Sequence, residues 1–224
     1  MKKLEILSPI ILDFDLENGM ACKISHQMYS ESKSGFKIPV PFSFFMHLTE
    51  KNAEGKFIMP LDGDKIFGKE VIAQLDSIKT IMSKCAQLGE ILNGKLRAFN
   101  NKHKINPELK NIYSKYDERY DKMDFMGHRN LFSDILKSKK LQRLNTVISE
   151  YNAKSVTKTF NDFIFDRNKY THGDLMYWYP NGKTLLEYRD EKGKIAYGEL
   201  NQDIFSSYLL AYEELNKFLD KLDK

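Results

Sequence analysis

The sequence predicts a mainly α protein: a helical bundle with a small β-hairpin insertion and an irregular N-terminal arm. Three observations carry that prediction. Apolar residues recur at helical spacing through 65–99, 155–172 and 201–224. One late stretch, 185–200, is broken by Asp190-Glu191-Lys192-Gly193, which is hairpin composition. Residues 1–65 show no helical period and carry several prolines. The 224 residues are assigned to a single domain, made of an arm (1–65), core helices (66–173), a hairpin insertion (174–200) and a C-terminal helix (201–224).

The arm is the least regular part. Apolar residues from Leu4 to Leu12 are interrupted by Ser8-Pro9. Phe36, Ile38, Val40, Phe42 and Phe44 alternate as in a strand. Pro39 and Pro41 fall between them and cannot donate ladder hydrogen bonds, which predicts an edge strand or extended arm. A short helix over 42–48 fits the same residues. Leu61-Asp62-Gly63-Asp64 is a turn that lacks the ligand spacing and closing Glu of a calcium loop.

The first long helix is predicted over 65–99, with Leu75, Met82, Cys85, Leu92 and Leu96 on one stripe and Asp64 as a candidate cap. Gly89 and Gly94 either weaken it or allow close packing. A polar loop follows at 100–105. Asn106-Pro107-Glu108 is a helix start: a capping Asn, Pro in the first turn and an early acid. That helix is expected to run to about 123. Its tyrosines Tyr113, Tyr116 and Tyr120 suit the half-wet edge of a core, with base stacking as the second use. Helices are predicted over 125–137 and 141–151, then a break at Asn152-Ala153-Lys154-Ser155. His128-Arg129-Asn130 is a basic trio that suits either plain surface or a phosphate contact. Tyr177, Trp178 and Tyr179 suit either a cover for the bundle end or a stacking platform.

Residues 163–173 break the packing pattern. Val156, Phe160, Phe163 and Ile164 mark a buried stripe, and Arg167 extends it where another Leu would be expected. Asn168 and His172 are four apart, one turn along a common face. Gly173 suits the left-handed position that ends many helices. Polar groups gathered at the end of an apolar stripe mark a candidate functional site. One geometric caution applies. Residues five apart are about 140° around an ideal helix, so Arg167 and His172 meet only if the helix relaxes or each faces a second copy.

Arg167-Asn168-x-x-x-His172 resembles the Arg-polar-x-x-x-His signature of HEPN domains. A second pair, Arg97 and His103, has Ala98 at the polar position and runs into a loop. HEPN domains are up-and-down helical bundles, many of them metal-independent RNases of bacterial defence, stress or toxin–antitoxin systems. The resemblance implies an endoribonuclease that leaves 2′,3′-cyclic phosphate ends. It assigns catalysis to Arg167, Asn168 and His172, and needs no cofactor or metal. RNA contacts are expected at Lys169, Tyr170 and Arg129. One histidine does not easily serve both proton transfers, so the resemblance implies a homodimer with a composite site. RNA and a cognate antitoxin are the expected partners. The alternative is a catalytically inactive HEPN-like module that binds nucleotide, nucleic acid or protein. A third is an unrelated helical scaffold.

Composition sets outer bounds. A hydrophobic share of 42% supports a real core. The net charge of +4 and pI near 8.8 permit nucleic-acid binding, but a solvated Lys-rich surface accounts for them equally. Cys22 and Cys85 form no metal or CxxC pattern, so reduced thiols and a cytoplasmic location are expected. The opening Met1-Lys2-Lys3 mimics a signal peptide, but Glu5, Pro9, Asp13 and Asp15 interrupt the apolar run. No stretch is long and apolar enough for a bilayer span, so no membrane partner is expected.

Overall fold

The computed structural model describes residues 10–11, 20–31, 37–48, 52–55, 69–141, 146–147, 153–179 and 182–223. The chain divides into two compact units, each assembled from separated segments. One gathers 83–171 with 202–224, and the other gathers 9–82 with 172–201. Helix predominates among the described residues, beside one mixed sheet.

The sheet unit grows from three antiparallel strands: β4 (Asp174–Tyr179), β5 (Lys183–Arg189) and β6 (Ile195–Glu199). The turn between the last two is built by Asp190, whose Oδ1 accepts from the Lys192 and Lys194 amides at 2.8 Å each. Gly193 closes it at φ 76°, a left-handed conformation that glycine adopts without steric cost. Leu175, Met176, Leu185 and Leu186 are buried. The long helix α1 (Lys69–His103) buries Val71 and Leu75 in this unit. There Gln74 Nε2 donates to Thr184 Oγ1 at 2.9 Å.

The sheet then extends in both directions. The two-residue β1 (Ile10–Ile11) pairs antiparallel with β6. On the other side β3 (Lys37–Leu48) pairs in parallel with β4, from Ser43↔Met176 to Met46↔Tyr179. β2 (Met20–Glu31) pairs antiparallel with β3 along its whole length. The order is β1-β6-β5-β4-β3-β2. This corrects the expectation of an irregular arm and a separate small hairpin insertion. Strands from both regions belong to one six-stranded sheet, because Ser43–Met46 pair with Met176–Tyr179, more than 130 residues away in sequence. The prolines still obey their constraint. Pro39 and Pro41 pair only with β2, and the β4 pairing begins at Ser43.

The helical unit is built from the rest of α1, α3 (Phe125–Ser138), α4 (Ala153–His172) and α5 (Gln202–Asp223). Phe132 lies at its centre. Its ring meets Phe99 of α1, Phe160 of α4 and Phe218 of α5 edge-on, at centroid distances of 5.2, 5.9 and 6.2 Å. Phe163 of α4 stacks on Tyr208 of α5 at 4.2 Å, and the Tyr208 hydroxyl donates to the Cys85 carbonyl of α1 at 3.0 Å. Rings that present edges to faces gain electrostatic attraction beyond their burial.

Two expectations between α1 and α3 need correction. α1 continues to His103, through the expected polar loop. The expected 107–123 helix is split into a 3-10 turn (Pro107–Leu109), the one-turn α2 (Lys110–Tyr113) and a second 3-10 stretch (Asp117–Lys122). The Asn106 cap is present, its side chain accepting from the Glu108 amide at 3.0 Å. The buried tyrosines hold the segment open. Tyr113 donates to the Asn100 carbonyl at 2.6 Å and Tyr120 to Asn101 Oδ1 at 2.7 Å, both on α1. Tyr116 donates instead to Asp134 Oδ2 on α3 at 2.9 Å. Anchors on two different helices compete with a continuous helical ladder, and the core use of these tyrosines prevails over base stacking. The 61–64 turn, the Asp64 cap, most of 141–151 and the side chains of Trp178 and Tyr179 lie outside the described residues.

Phe132→Ala empties a position that three helices share. It is expected to cost about 3–5 kcal/mol, read as a lowered urea midpoint with the helical signal retained before the transition.

Candidate active site

Helix α4 is continuous over 20 residues and reaches His172 without relaxing. Thr171 Oγ1 bonds back to the Arg167 carbonyl at 2.8 Å, inside the last turns. Arg167 and His172 therefore leave the helix about 140° apart. Asn168 and His172, both exposed, are one turn apart on a common face. The stripe of Val156, Phe160, Phe163 and Ile164 is buried, as its spacing predicts.

Arg167 continues that stripe against α1. Its stem lies over Gly89, where a Cβ would come within 2.6 Å of Arg167 Cγ. The absent side chain at 89 is what lets a long Arg pass between the two helices. The guanidinium has two partners. Nη2 pairs with Glu90 Oε1, and Nη1 donates to Asn168 Oδ1 at 3.1 Å. Nε is buried without a hydrogen-bond partner. Glu90 is the residue that sequence reasoning missed. Gly89 signalled close approach on α1, but nothing local named Arg167 as what approaches.

His172, the last residue of α4, is exposed, and its side chain makes no hydrogen bond or ion pair with the described residues. Gly173 does not take the expected left-handed cap. The described glycines with such a φ are Gly55, Gly182 and Gly193. The chain instead passes from α4 into β4 at Asp174, with no turn to close.

Lys169, Tyr170 and Arg129, the expected RNA contacts, each have partners within the fold. Lys169 Nζ donates to Asp166 Oδ1 at 2.8 Å, with the two side chains only 15% and 1% exposed. Tyr170 is 4% exposed, its ring set against Tyr208 at 5.3 Å and Phe205 at 5.5 Å. No face of it is open to a base. Tyr170 lies seven residues after Phe163, two helical turns on, so the apolar stripe already contained the signal for its burial. Its hydroxyl has no hydrogen-bond partner, and burial, then Asp166 and Cys85, push its pKa up. Arg129 Nη2 donates to the Thr157 carbonyl of α4, and Nη1 to Asn130 Oδ1, at 2.9 Å each. It ties α3 to α4.

His128, beside Arg129, is also buried. Asn100 Nδ2 donates to the His128 carbonyl at 3.0 Å and meets its Nδ1 at 3.3 Å. Burial, then the charge of Arg97, lowers the imidazole pKa, with Asp124 opposing. The buried Cys85 thiol is pushed up to about 11 by desolvation, which leaves it a poor nucleophile. Among the described residues, no group of three or more His, Cys, Asp or Glu is placed to hold a metal ion, and no helix is long and apolar enough to cross a membrane. Comparison with family models, with curated proteins and with solved structures finds no match.

Tyr170→Phe removes a buried hydroxyl that bonds to nothing. Thermal unfolding is expected to show stability unchanged or raised by up to about 1 kcal/mol, whereas a hydrogen-bonded hydroxyl would show a loss. His128 gives a pH signature. Above its ordinary pKa of 6.5 the ring is neutral in both folded and unfolded chains. As the pH falls below that value the unfolded chain binds the proton first, so stability declines until the lowered folded-state pKa is passed. Urea midpoints measured from pH 7.5 down to about pH 5 should fall less steeply in His128→Gln than in the wild type.

Proposed function

We propose that this chain is a HEPN-type, metal-independent endoribonuclease whose motif on α4 is completed by a second copy. One observation carries the reading. The Arg167 tip is tethered to Asn168, and Asn168 shares an exposed face of α4 with His172, which has no partner among the described residues. A fixed cation, a polar orienter and an unengaged imidazole are what metal-free phosphodiester cleavage requires. The helical unit from which α4 emerges suits the bundle that the motif resembles.

In this reading the RNA 2′-OH attacks the adjacent phosphorus. A 2′-O–P bond forms and the P–O5′ bond breaks, leaving a 2′,3′-cyclic phosphate. His172 removes the 2′-OH proton as general base. Arg167 offers N–H donors to the non-bridging oxygens as charge develops on the phosphorane. The leaving 5′-oxygen needs a proton that one imidazole cannot also give. His172 of a second copy supplies it, which makes a homodimer the active form.

A second reading rests on a specific contact. Arg167 is already paired with Glu90, and an arginine engaged internally suits a catalytically inactive helical module that binds nucleic acid, nucleotide or protein. The two readings separate in one assay. An RNA pool is incubated in EDTA with wild type, Arg167→Ala and His172→Ala, and the product ends are analysed. The endoribonuclease reading predicts cyclic phosphate ends from wild type and a loss of about 100-fold or more in each variant. Full cleavage by both variants removes it. Absence of cleavage by a dimeric wild type moves the assignment to the inactive module.

A further inference from the structure

The contacts of Arg167 divide it into a fixed stem and an exchangeable tip. The stem is clamped: Gly89 leaves room only for a chain lying flat on α1, and Nε is buried behind it. A guanidinium has five N–H donors, and with Nε buried only the two Nη groups can serve a ligand. Nη1 is occupied by Asn168 on the same helix, and Nη2 by Glu90. Phosphate is bound best by two parallel N–H donors of such a fork. The Glu90 carboxylate oxygen accepts from Nη2 as a phosphate oxygen would, so Glu90 occupies a position that a phosphate oxygen would take.

The two partners of that ion pair differ in freedom. The Arg167 side chain is 20% exposed and that of Glu90 55% exposed. Arg167 is the one partner of Glu90 among the described residues. A half-exposed carboxylate on a flexible stem is held weakly and can swing into water while Arg167 stays where the helices put it.

We propose that Glu90 is the resident competitor for the anion seat at Arg167, displaced when an RNA phosphate binds there, so that it sets the affinity of the site for the RNA backbone. The inference rests on the reading of α4 as an RNA site but not on cleavage itself.

The test separates binding from chemistry by using a fluorescent 2′-O-methyl RNA oligonucleotide, which lacks the attacking hydroxyl. Anisotropy titrations at low ionic strength compare wild type, Glu90→Gln, Arg167→Ala and the double variant. Glu90→Gln is expected to tighten binding by up to about five-fold, the effect of no longer breaking a weak, exposed ion pair before the phosphate seats. The gain should vanish in the Arg167→Ala background, because the competition is for that guanidinium alone. Unchanged or weaker binding by Glu90→Gln overturns the proposal, as does an equal gain without Arg167 or the absence of binding by every variant. Cleavage of the unmodified RNA is assayed alongside. A wild type that binds but never cuts removes the endoribonuclease reading and leaves the competition by Glu90 standing.

Discussion

The helical unit depends on the ring of Phe132. Three helices present an aromatic ring to it, and each contact is edge-to-face. Such packing has a narrow geometric tolerance, because a ring that slides loses both its dispersion contacts and its quadrupole match. The position of α4 therefore follows from Phe160 on Phe132 and Phe163 on Tyr208. One turn beyond Phe163 the same stripe reaches Arg167. The register that fills the core also carries the arginine onto Gly89 of α1.

A second constraint is polar. Asn100 and His128 are buried and bonded to each other's helices, while Tyr113, Tyr116 and Tyr120 donate from the connecting segment. A buried donor left unpaired is costly, so these hydroxyls dictate where the chain between α1 and α3 runs. Burial with a hydrogen bond to Asp134 pushes the Tyr116 phenol up to about 12, so it remains a donor at any physiological pH. Local helix propensity over 107–123 yields to these anchors.

Charge divides the motif region into two kinds of group. Lys169 and Asp166 neutralise each other in the interior, and Arg129 is held by carbonyl and amide oxygens. Arg129 ties α3 to α4, and the Lys169–Asp166 pair lies within α4. Asn168 and His172 are exposed, and Arg167 meets Glu90 and Asn168 with its two Nη groups. The motif is therefore a small polar edge on a rigid helix, and that rigidity comes from the aromatic core beneath it.

The sequence by itself determined the helices of 69–103, 125–138, 153–172 and 202–223 to within a few residues. Their apolar stripes repeat every three or four positions, a local signal that any long amphipathic helix carries. It also determined the Asp190–Gly193 turn and the run of Arg167, Asn168 and His172 along one helix. Tertiary structure alone decided the rest. Alternation over 36–44 announces a strand but not its neighbour, and pairing with β4 required the fold to bring distant residues together. The same holds at the motif. Helical spacing placed Arg167 on a buried face, but only the packing of α4 on α1 set Gly89 under its stem and Glu90 at its tip. Contacts between residues 77 positions apart leave no periodic trace in a single chain, because spacing records direction around a helix and not what stands opposite.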